Sequence, residues 1–410
     1  MSIAARLRPS AFLKEVAAIA GGTALGQSLG VLASPLLTRL YGPEEMGLWG
    51  LFVSFLGVAA VLSTLRYEMA IVAVKDEDEG LLLTKSSLVV SGATALLCPL
   101  AFDLLRRHDL LGFGGFPPWT SFAVAPALAA SAGGLVLRYW AVRKGAFGLV
   151  GRFTVIQSLS RLLAQLGLAV VGGAGLFLGE IVGRFAGLFS LWRTLPPRGA
   201  SFTPSVLAKY RVYPLVQLPS SFLDTLALMA PVPVFAAVYG VSVAGGLALA
   251  QRVVSLPLSL IGASVADVFY GRAARLAREN PAALSRFLLT TVLRLWPVSL
   301  ALGLSLGLIA PRVAVMVFGA AWEQAGHIMS AMAPWMTAML AISPVTRVVF
   351  LCSYAWVKLL YDLVSVFVVS SPVWLNISDP VKSLYIVSWL KAGQLIGYLG
   401  LLFILVRSMR

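Results

Sequence analysis

Seven ionisable residues lie near the middle of long apolar segments, and these residues are the candidates for chemistry in this chain. They are Arg161, Glu180, Arg184, Asp224, Arg252, Asp362 and Lys391. If such segments cross a bilayer, an Arg, Lys or Asp at the centre costs about 2.5–3.5 kcal/mol on insertion scales. Residues of that cost normally face a charged partner or a water-filled cavity. Each of the seven is therefore a candidate for binding a ligand or coupling an ion.

The arginines suit an anionic ligand. Arg161 and Arg252 have no acidic residue within four positions on their own segments, so we expect them to line a cavity and bind the ligand. A guanidinium stays charged and offers a planar fork of donors that matches phosphate oxygens. Glu180 and Arg184 are four residues apart, a spacing that predicts an ion pair on one helix face.

The acidic residues are candidates for ion coupling. Asp224 follows the polar run Pro219-Ser220-Ser221 and is the first candidate for a cation or proton site, with a salt bridge to a cavity arginine as the alternative. Glu180 and Asp362 are further candidates for cavity acids. Lys391 and Arg294 have long aliphatic stems that could extend their charged ends towards the membrane surface, and we expect structural roles for both.

The sequence contains no recognisable catalytic constellation. It has no Gly-rich phosphate loop of the GxxxxGK type followed by Ser or Thr, and no serine nucleophile motif. The two histidines, His108 and His327, are too few and too far apart to suggest a His-based metal site. Cys98 and Cys352 both lie in apolar segments, so they imply no disulfide or metal framework. We therefore expect a protein that is not an enzyme and that uses no metal or cofactor.

The composition predicts an all-α integral membrane protein. The chain is 59% hydrophobic and 12% charged, with a mean hydropathy of +0.88, whereas soluble domains carry about 25% charged residues. A helix needs about 20 apolar residues to cross a bilayer. Pro35, within the first span, predicts a kink there. Length and polarity predict about twelve spans, at residues 14–39, 46–65, 81–105, 118–141, 152–172, 174–193, 213–239, 243–268, 287–310, 322–350, 353–374 and 382–406.

The placement of the positive charge predicts the orientation. With the N-terminus in the cytoplasm, 22 of the 32 Lys and Arg residues lie near cytoplasmic span ends and 5 near outer ends. This bias predicts that both termini are cytoplasmic. It also accounts for the net charge of +15 without a nucleic-acid partner. The basic, amphipathic segment 270–286 is expected to lie on the anionic inner leaflet.

A short sequence motif occurs twice in the chain, which suggests two related halves. Tyr41-Gly42 is followed by Gly47, and 198 residues later Tyr239-Gly240 is followed by Gly245. Transporters often contain such repeats. We therefore predict two pseudo-symmetric six-helix lobes, at residues 1–200 and 201–410.

Two stretches of the sequence resemble one known family. The small-residue first segment, the connector LLTRLYGPEEMGLWGLF and the segment LRYEMAIVAVKDEDE resemble the polysaccharide transporter (oligosaccharide flippase, Wzx-like) family. The stretch VFGAAWEQAGHIMSAMAPWM, followed by Ser343-Pro344, resembles the connector between the ninth and tenth helices of the same family. Together these stretches cover about a quarter of the chain.

The resemblance implies a fold and a function. The family belongs to the multidrug/oligosaccharidyl-lipid/polysaccharide (MOP) exporter superfamily, whose members have two six-helix lobes around a cavity and alternate access between the two sides. It implies transport of an undecaprenyl-diphosphate-linked oligosaccharide from the inner to the outer leaflet. A polysaccharide polymerase or ligase and the membrane lipids are the implied partners.

The resemblance also bears on the phosphate-binding residues. Related lipid flippases use arginines on the first, second and eighth helices, and Arg252 on the predicted eighth helix fits this pattern. The first helix has no arginine near its middle, since Arg39 lies at its outer end, and Arg66 lies at the inner end of the second helix. Arg161 and Arg184 are therefore candidates to share the role.

Two other functions compete with the flippase. A cation-coupled multidrug exporter of the same superfamily would favour an acidic cavity, whereas four of the seven buried charges are basic. A non-transporting membrane enzyme of glycan assembly would favour a large outer loop, and the predicted outer loops are short.

Overall fold

The chain folds into two compact units of α-helices. A computed structural model describes residues 9–196, 202–351 and 355–408, and within these ranges the secondary structure is helical with no strand. The first unit comprises Met1–Tyr41 and Leu48–Thr225, and the second comprises Gly42–Gly47 and Leu226–Arg410. The predicted lobe boundary between residues 200 and 201 lies outside the described residues.

Ten helices precede or contain the boundary between the units. They are α1 (Pro9–Leu32), α2 (Ser34–Leu40), α3 (Pro43–Thr64), α4 (Tyr67–Ala73), α5 (Glu77–Arg107), α6 (Trp119–Arg143), α7 (Phe147–Gly167), α8 (Ala174–Ser190), α9 (Pro204–Lys209) and α10 (Leu218–Met229).

Nine further helices complete the second unit. They are α11 (Pro231–Tyr239), α12 (Val241–Pro257), α13 (Ala263–Glu279), α14 (Pro281–Phe318), α15 (Glu323–Ala331), α16 (Ala333–Ile342), α17 (Ala355–Val369), α18 (Ser371–Leu375) and α19 (Pro380–Ser408). A π-helical turn, Leu258–Gly262, joins α12 to α13.

The predicted all-α membrane fold is confirmed, and every predicted span falls on one helix or on consecutive helices. Among the described residues, six helices alone are long and apolar enough to cross a membrane, and eight spans result if two bent pairs each count as one. The four other predicted spans lie on α1, α7, α8 and α17. Of these, α8 and α17 are short, at 17 and 15 residues.

The longest helices carry the lipid-facing surface. Only 17% of the apolar window of α5, and the same share in α14, is buried within the chain. Their exposed side chains are largely leucine, for example Leu96, Leu100, Leu304 and Leu308. In water such a surface would be unfavourable, but hydrocarbon solvates it without cost.

Prolines divide several of the spans. A break at Ala33 separates α1 from α2, where Pro35 removes a backbone donor, as the sequence predicted. The α10–α11 pair bends by 46° just before Pro231, and the α15–α16 segments bend by 47° just before Pro334. Each of these two pairs corresponds to one predicted span, and the proline explains each bend.

The two YG motifs make equivalent hydrogen bonds. The Tyr41 hydroxyl donates to the Gln165 carbonyl at 2.5 Å, and the Tyr239 hydroxyl donates to the Ile377 carbonyl at 2.8 Å. Gln165 lies in the predicted fifth span, and Ile377 follows the predicted eleventh. Each tyrosine therefore fixes its connector to the corresponding part of its own half.

The glycines that follow the YG motifs lie in reciprocal contact within the second unit. A Cβ atom on Gly47 would lie 2.0 Å from the Val241 carbonyl oxygen, and one on Gly245 would lie 1.9 Å from the Pro43 carbonyl oxygen. Pro43 and Val241 are separated by 198 residues, as are Gly47 and Gly245. The start of α3 and the start of α12 therefore cross backbone to backbone, and only glycine fits at the crossing.

The LRYEMAIVAVKDEDE stretch is held by a residue far along the chain. The guanidinium of Arg143 donates to the carbonyls of Ile71 (2.8 Å) and Asp76 (2.6 Å), and also to that of Val74. The side chain of Asp76 accepts from the backbone N–H of Asp78, so the acidic run forms the capped start of α5. Negative charge at a helix N-terminus is favourable.

Candidate functional site

The candidate site of the first unit lies between α7 and α8. Gly175, Gly179, Gly183 and Gly187 repeat every fourth residue and line one face of α8. A Cβ on Gly183 would lie 2.5 Å from the Cβ of Arg161, and one on Gly179 would lie 2.4 Å from the Cγ of Gln165. Small residues with this spacing let two membrane helices approach closely. This glycine pattern was not among the predicted site features, although its spacing is visible in the sequence.

Glu180 is the centre of this site and is almost fully buried, with 1% of its surface exposed. Its Oε1 accepts from Arg184 Nε at 3.0 Å and lies 2.9 Å from Arg184 Nη2. Its Oε2 lies 3.7 Å from Arg161 Nη1 on the neighbouring helix. Arg184 Nη1 also donates to the Ser131 hydroxyl of α6 at 2.5 Å. Nothing in the sequence predicted that Ser131 belongs to this site, because only the fold brings α6 to this position.

The ion pair between Glu180 and Arg184 is confirmed, whereas the surroundings of Arg161 differ from the expectation. The absence of an acidic residue within four positions on its own helix predicts that Arg161 lines a cavity. In the structure Glu180 supplies the carboxylate from the next helix. Arg161 is therefore part of a three-residue charged cluster and not an isolated cation in a cavity.

The cluster retains one positive charge, because two arginines share one glutamate. The two guanidinium groups are not equivalent: Arg184 forms the short contacts, and Arg161 the long one. The side chain of Arg161 is 23% exposed, compared with 13% for Arg184. Arg161 is therefore the better placed of the two to contact an anion, while Arg184 orients the carboxylate.

Two further sequence candidates, Arg252 and Asp224, lie on α12 and α10. Arg252 is a partly buried residue of α12 in the second unit, and its Nη1 atom is buried. Asp224 lies on α10, and its side chain is exposed rather than enclosed.

Asp362 lies in a second charged cluster, between α17 and α19. It is 1% exposed, and its Oδ1 accepts from the ammonium of Lys358, one turn earlier on α17. Nearby, Gln394 of α19 donates to the Tyr361 carbonyl at 2.8 Å. The carboxylate thus has a basic partner on its own helix, a local pairing that the i,i+4 spacing could have predicted.

Lys391 has a structural role inside the bundle and does not extend to the membrane surface. It is 4% exposed, and its ammonium donates to the Ser365 hydroxyl at 2.5 Å and to the Ser365 carbonyl at 3.2 Å. The Trp335 ring centroid lies 5.9 Å from the same ammonium. The Ser365 hydroxyl and carbonyl of α17 accept hydrogen bonds from this ammonium inside the bundle. The buried charge is therefore satisfied without contact with water.

No group of three or more His, Cys, Asp or Glu side chains is arranged to hold a metal ion within the part of the chain that the structure describes. The charged side chains there form ion pairs and hydrogen bonds with one another. The chemistry that this arrangement supports is electrostatic binding of an anion.

A protein-family model matches residues 36–327 of the chain and is described as "Polysaccharide biosynthesis protein". This match covers well over half of the chain and includes two of the resembling stretches in full, at residues 36–52 and 65–79, and about half of the stretch at 317–336. A search of curated proteins gave no match.

Solved structures of low sequence identity share the fold. The lipid II flippase MurJ, in an inward closed conformation, matches with a TM-score of 0.75 at 13% identity, over 92% of this chain and 85% of MurJ. An inward-facing multidrug resistance MATE transporter of the MOP superfamily matches with a TM-score of 0.63 at 15% identity, over 94% of each chain. A MATE transporter from Vibrio cholerae matches with a TM-score of 0.58 at 16% identity, over 97% of each chain. The chain therefore belongs to the polysaccharide biosynthesis protein family and has the helical fold of the MOP-superfamily transporters.

Proposed function

We propose that this protein is a flippase that moves an undecaprenyl-diphosphate-linked oligosaccharide from the inner to the outer leaflet of the bacterial cytoplasmic membrane. The family match supports a role in polysaccharide biosynthesis, and the shared fold supports transport rather than catalysis. The choice of an anionic lipid-linked substrate rests on the net positive charge that is buried around Glu180. Transport in this direction assumes that both termini are cytoplasmic.

Arg161 is the residue that we expect to contact the diphosphate. Its 3.7 Å separation from Glu180 is longer than a good hydrogen bond, so an arriving phosphate oxygen can compete for the guanidinium. Charge-assisted hydrogen bonds to phosphate are roughly twice as strong as neutral ones. Glu180 remains beside Arg161 and limits the attraction, which allows the diphosphate to leave on the other side. Arg252, on α12, is the other arginine that we expect to bind the diphosphate.

Two of the three acidic candidates argue against a cationic cargo. Glu180 and Asp362 each have a basic partner within 4 Å. A site for a cation would need these carboxylates to release their partners first. The anionic substrate is therefore the better match to the buried charge, and the multidrug exporter is the alternative to be tested beside it.

The test is complementation of a deletion strain, with the lipid-linked oligosaccharide extracted and quantified. Arg161→Ala and Arg252→Ala are each expected to abolish surface glycan and to cause lipid-linked oligosaccharide to accumulate, while protein level and membrane insertion persist. Arg252→Lys is expected to restore export only partly, because an ammonium replaces the planar fork. Lys382→Ala is the matched control, since this exposed lysine lies outside the cluster.

Normal export by both Arg161→Ala and Arg252→Ala would refute the arginine mechanism. Normal glycan in the deletion strain itself, together with altered sensitivity to cationic drugs, would refute the flippase and favour the multidrug exporter. Co-purification with a polysaccharide polymerase or ligase would identify the proposed partners. Reporter fusions at Lys144 and Gly240 would test the orientation, with a cytoplasmic signal expected at Lys144 alone.

A further inference from the structure

The end of α13 and the start of α14 form a surface that the proposed transport mechanism does not use. Five exposed arginines define it, and we refer to them as the basic hairpin surface: Arg272, Arg275, Arg278, Arg286 and Arg294. The first three lie on α13 at intervals of three residues, and the last two lie on α14, eight residues apart. Because α13 and α14 are joined only by Asn280, the end of one helix and the beginning of the other lie at the same end of the unit.

The packing of α13 and α14 determines which side of the two helices is exposed. Phe269 and Ala273 of α13 and Leu284 and Leu288 of α14 are buried in one hydrophobic cluster. The Phe269 and Phe287 rings stack with centroids 5.1 Å apart and an interplanar angle of 5°. The apolar faces of both helices are therefore occupied by each other and by the core, and the arginines are left on the outside.

Apolar side chains continue directly from the basic hairpin surface along α14. Leu289 is 42% exposed, Leu293 is 56% exposed, and Val298 follows at 47%. Arg294 lies among these residues, about 12 Å along the helix from Arg286 at ~1.5 Å per residue. A headgroup layer is only about 5–8 Å thick, so the Cα atoms of Arg286 and Arg294 cannot both lie within it.

The direction of α14 allows the guanidinium groups of Arg286 and Arg294 to lie closer together than their Cα atoms. Side chains on a helix lean towards its N-terminus, which for α14 is the end that carries Arg286. We therefore expect the long stem of Arg294 to pass over exposed leucines and to bring its guanidinium back towards the other arginines. Such a surface offers apolar contact to an acyl chain and several guanidinium groups to the phosphate at the head of that chain.

We propose that the basic hairpin surface is a binding site for anionic phospholipids, with the arginines on the phosphodiester headgroup and Leu289 and Leu293 against the acyl chains. Charge complementarity supports this occupant. Among the side chains that the structure describes on these two helices, Glu279 is an exposed acid, and its contact with Arg275 is long at 3.8 Å, with both side chains about two-thirds exposed. A pair of this kind contributes little, so most of the positive charge remains available to a phosphate.

The experiment measures lipid binding by the full-length protein, purified in a neutral detergent and titrated with phosphatidylglycerol, with phosphatidylcholine or with inorganic phosphate. The test variant combines Arg272→Gln, Arg275→Gln and Arg278→Gln. A matched control removes the same charge from exposed positions elsewhere: Arg193→Gln, Arg211→Gln and Lys382→Gln. Size-exclusion chromatography and thermal unfolding establish that each variant is folded.

Phosphatidylglycerol is expected to bind more tightly than phosphatidylcholine, and less tightly at high salt. The test variant is expected to lose about fivefold in affinity for each arginine removed, or about 100-fold in total, whereas the control keeps most of its affinity. If the test variant does not fold, Arg294→Leu serves instead, because this position already lies among exposed leucines. Equal losses in the test and control variants, equal binding of the two lipids, or full displacement of the lipid by inorganic phosphate would each overturn the proposal.

Discussion

The contact between Gly47 and Gly245 predicts that either glycine is intolerant of even one added methyl group. In Gly47→Ala the new Cβ would lie 2.0 Å from the Val241 carbonyl oxygen, and in Gly245→Ala it would lie 1.9 Å from the Pro43 carbonyl oxygen. Ordinary contact begins at about 3.4 Å, so the two helix backbones would have to separate by about 1.4 Å in each case.

The cost of that separation follows from what surrounds the methyl group. Overpacking a core typically costs about 1–3 kcal/mol, because neighbouring side chains can shift. Here the neighbour is a backbone carbonyl within a helix, so rotamer changes give no relief. We therefore expect each substitution to lower the free energy of unfolding by about 3 kcal/mol, the upper end of that range.

The assay is reversible unfolding of the purified protein in mixed micelles, with the fraction folded measured by circular dichroism. Gly42→Ala is the matched control: it is in the same motif, it is exposed, and its added methyl group would meet no neighbouring atom within 4 Å. The double variant Gly47→Ala with Gly245→Ala is expected to cost less than the sum of the single variants, because one separation of the helices relieves both contacts. If Gly47→Ala were as stable as Gly42→Ala, the crossing would not be the close contact described above.

Two further predictions concern the charged clusters. Gly183→Ala places a Cβ 2.5 Å from that of Arg161, so it is expected to push α7 away from α8. Glycan export in the complementation assay is expected to fall at least tenfold, and unchanged export would contradict a role for this packing. Asp362→Asn removes the buried charge that faces Lys358 and is expected to cost about 3–5 kcal/mol of stability in the same unfolding assay. The paired substitution Asp362→Leu with Lys358→Met should recover most of that loss, and failure to recover would show that the two side chains do not act as a pair.

The sequence by itself determined the features that depend on short-range geometry. A helix rises about 1.5 Å per residue, so the length of an apolar run decides whether it can span a bilayer. The twelve predicted spans accordingly all coincide with helices. The spacing of four residues likewise predicted the ion pair between Glu180 and Arg184, and Pro35 predicted the break between α1 and α2.

Only the tertiary structure decided which distant residues meet. Arg161 obtains its carboxylate from the next helix, and Lys391 donates to Ser365, which lies 26 residues earlier. The recurrence of the YG motif suggested a repeat, but it did not predict that Gly47 and Gly245 would lie in reciprocal contact. A buried charge is satisfied by whichever acceptor the packing of the helices brings close. That packing depends on the fit of whole helix faces, so the pattern along any single helix does not determine it.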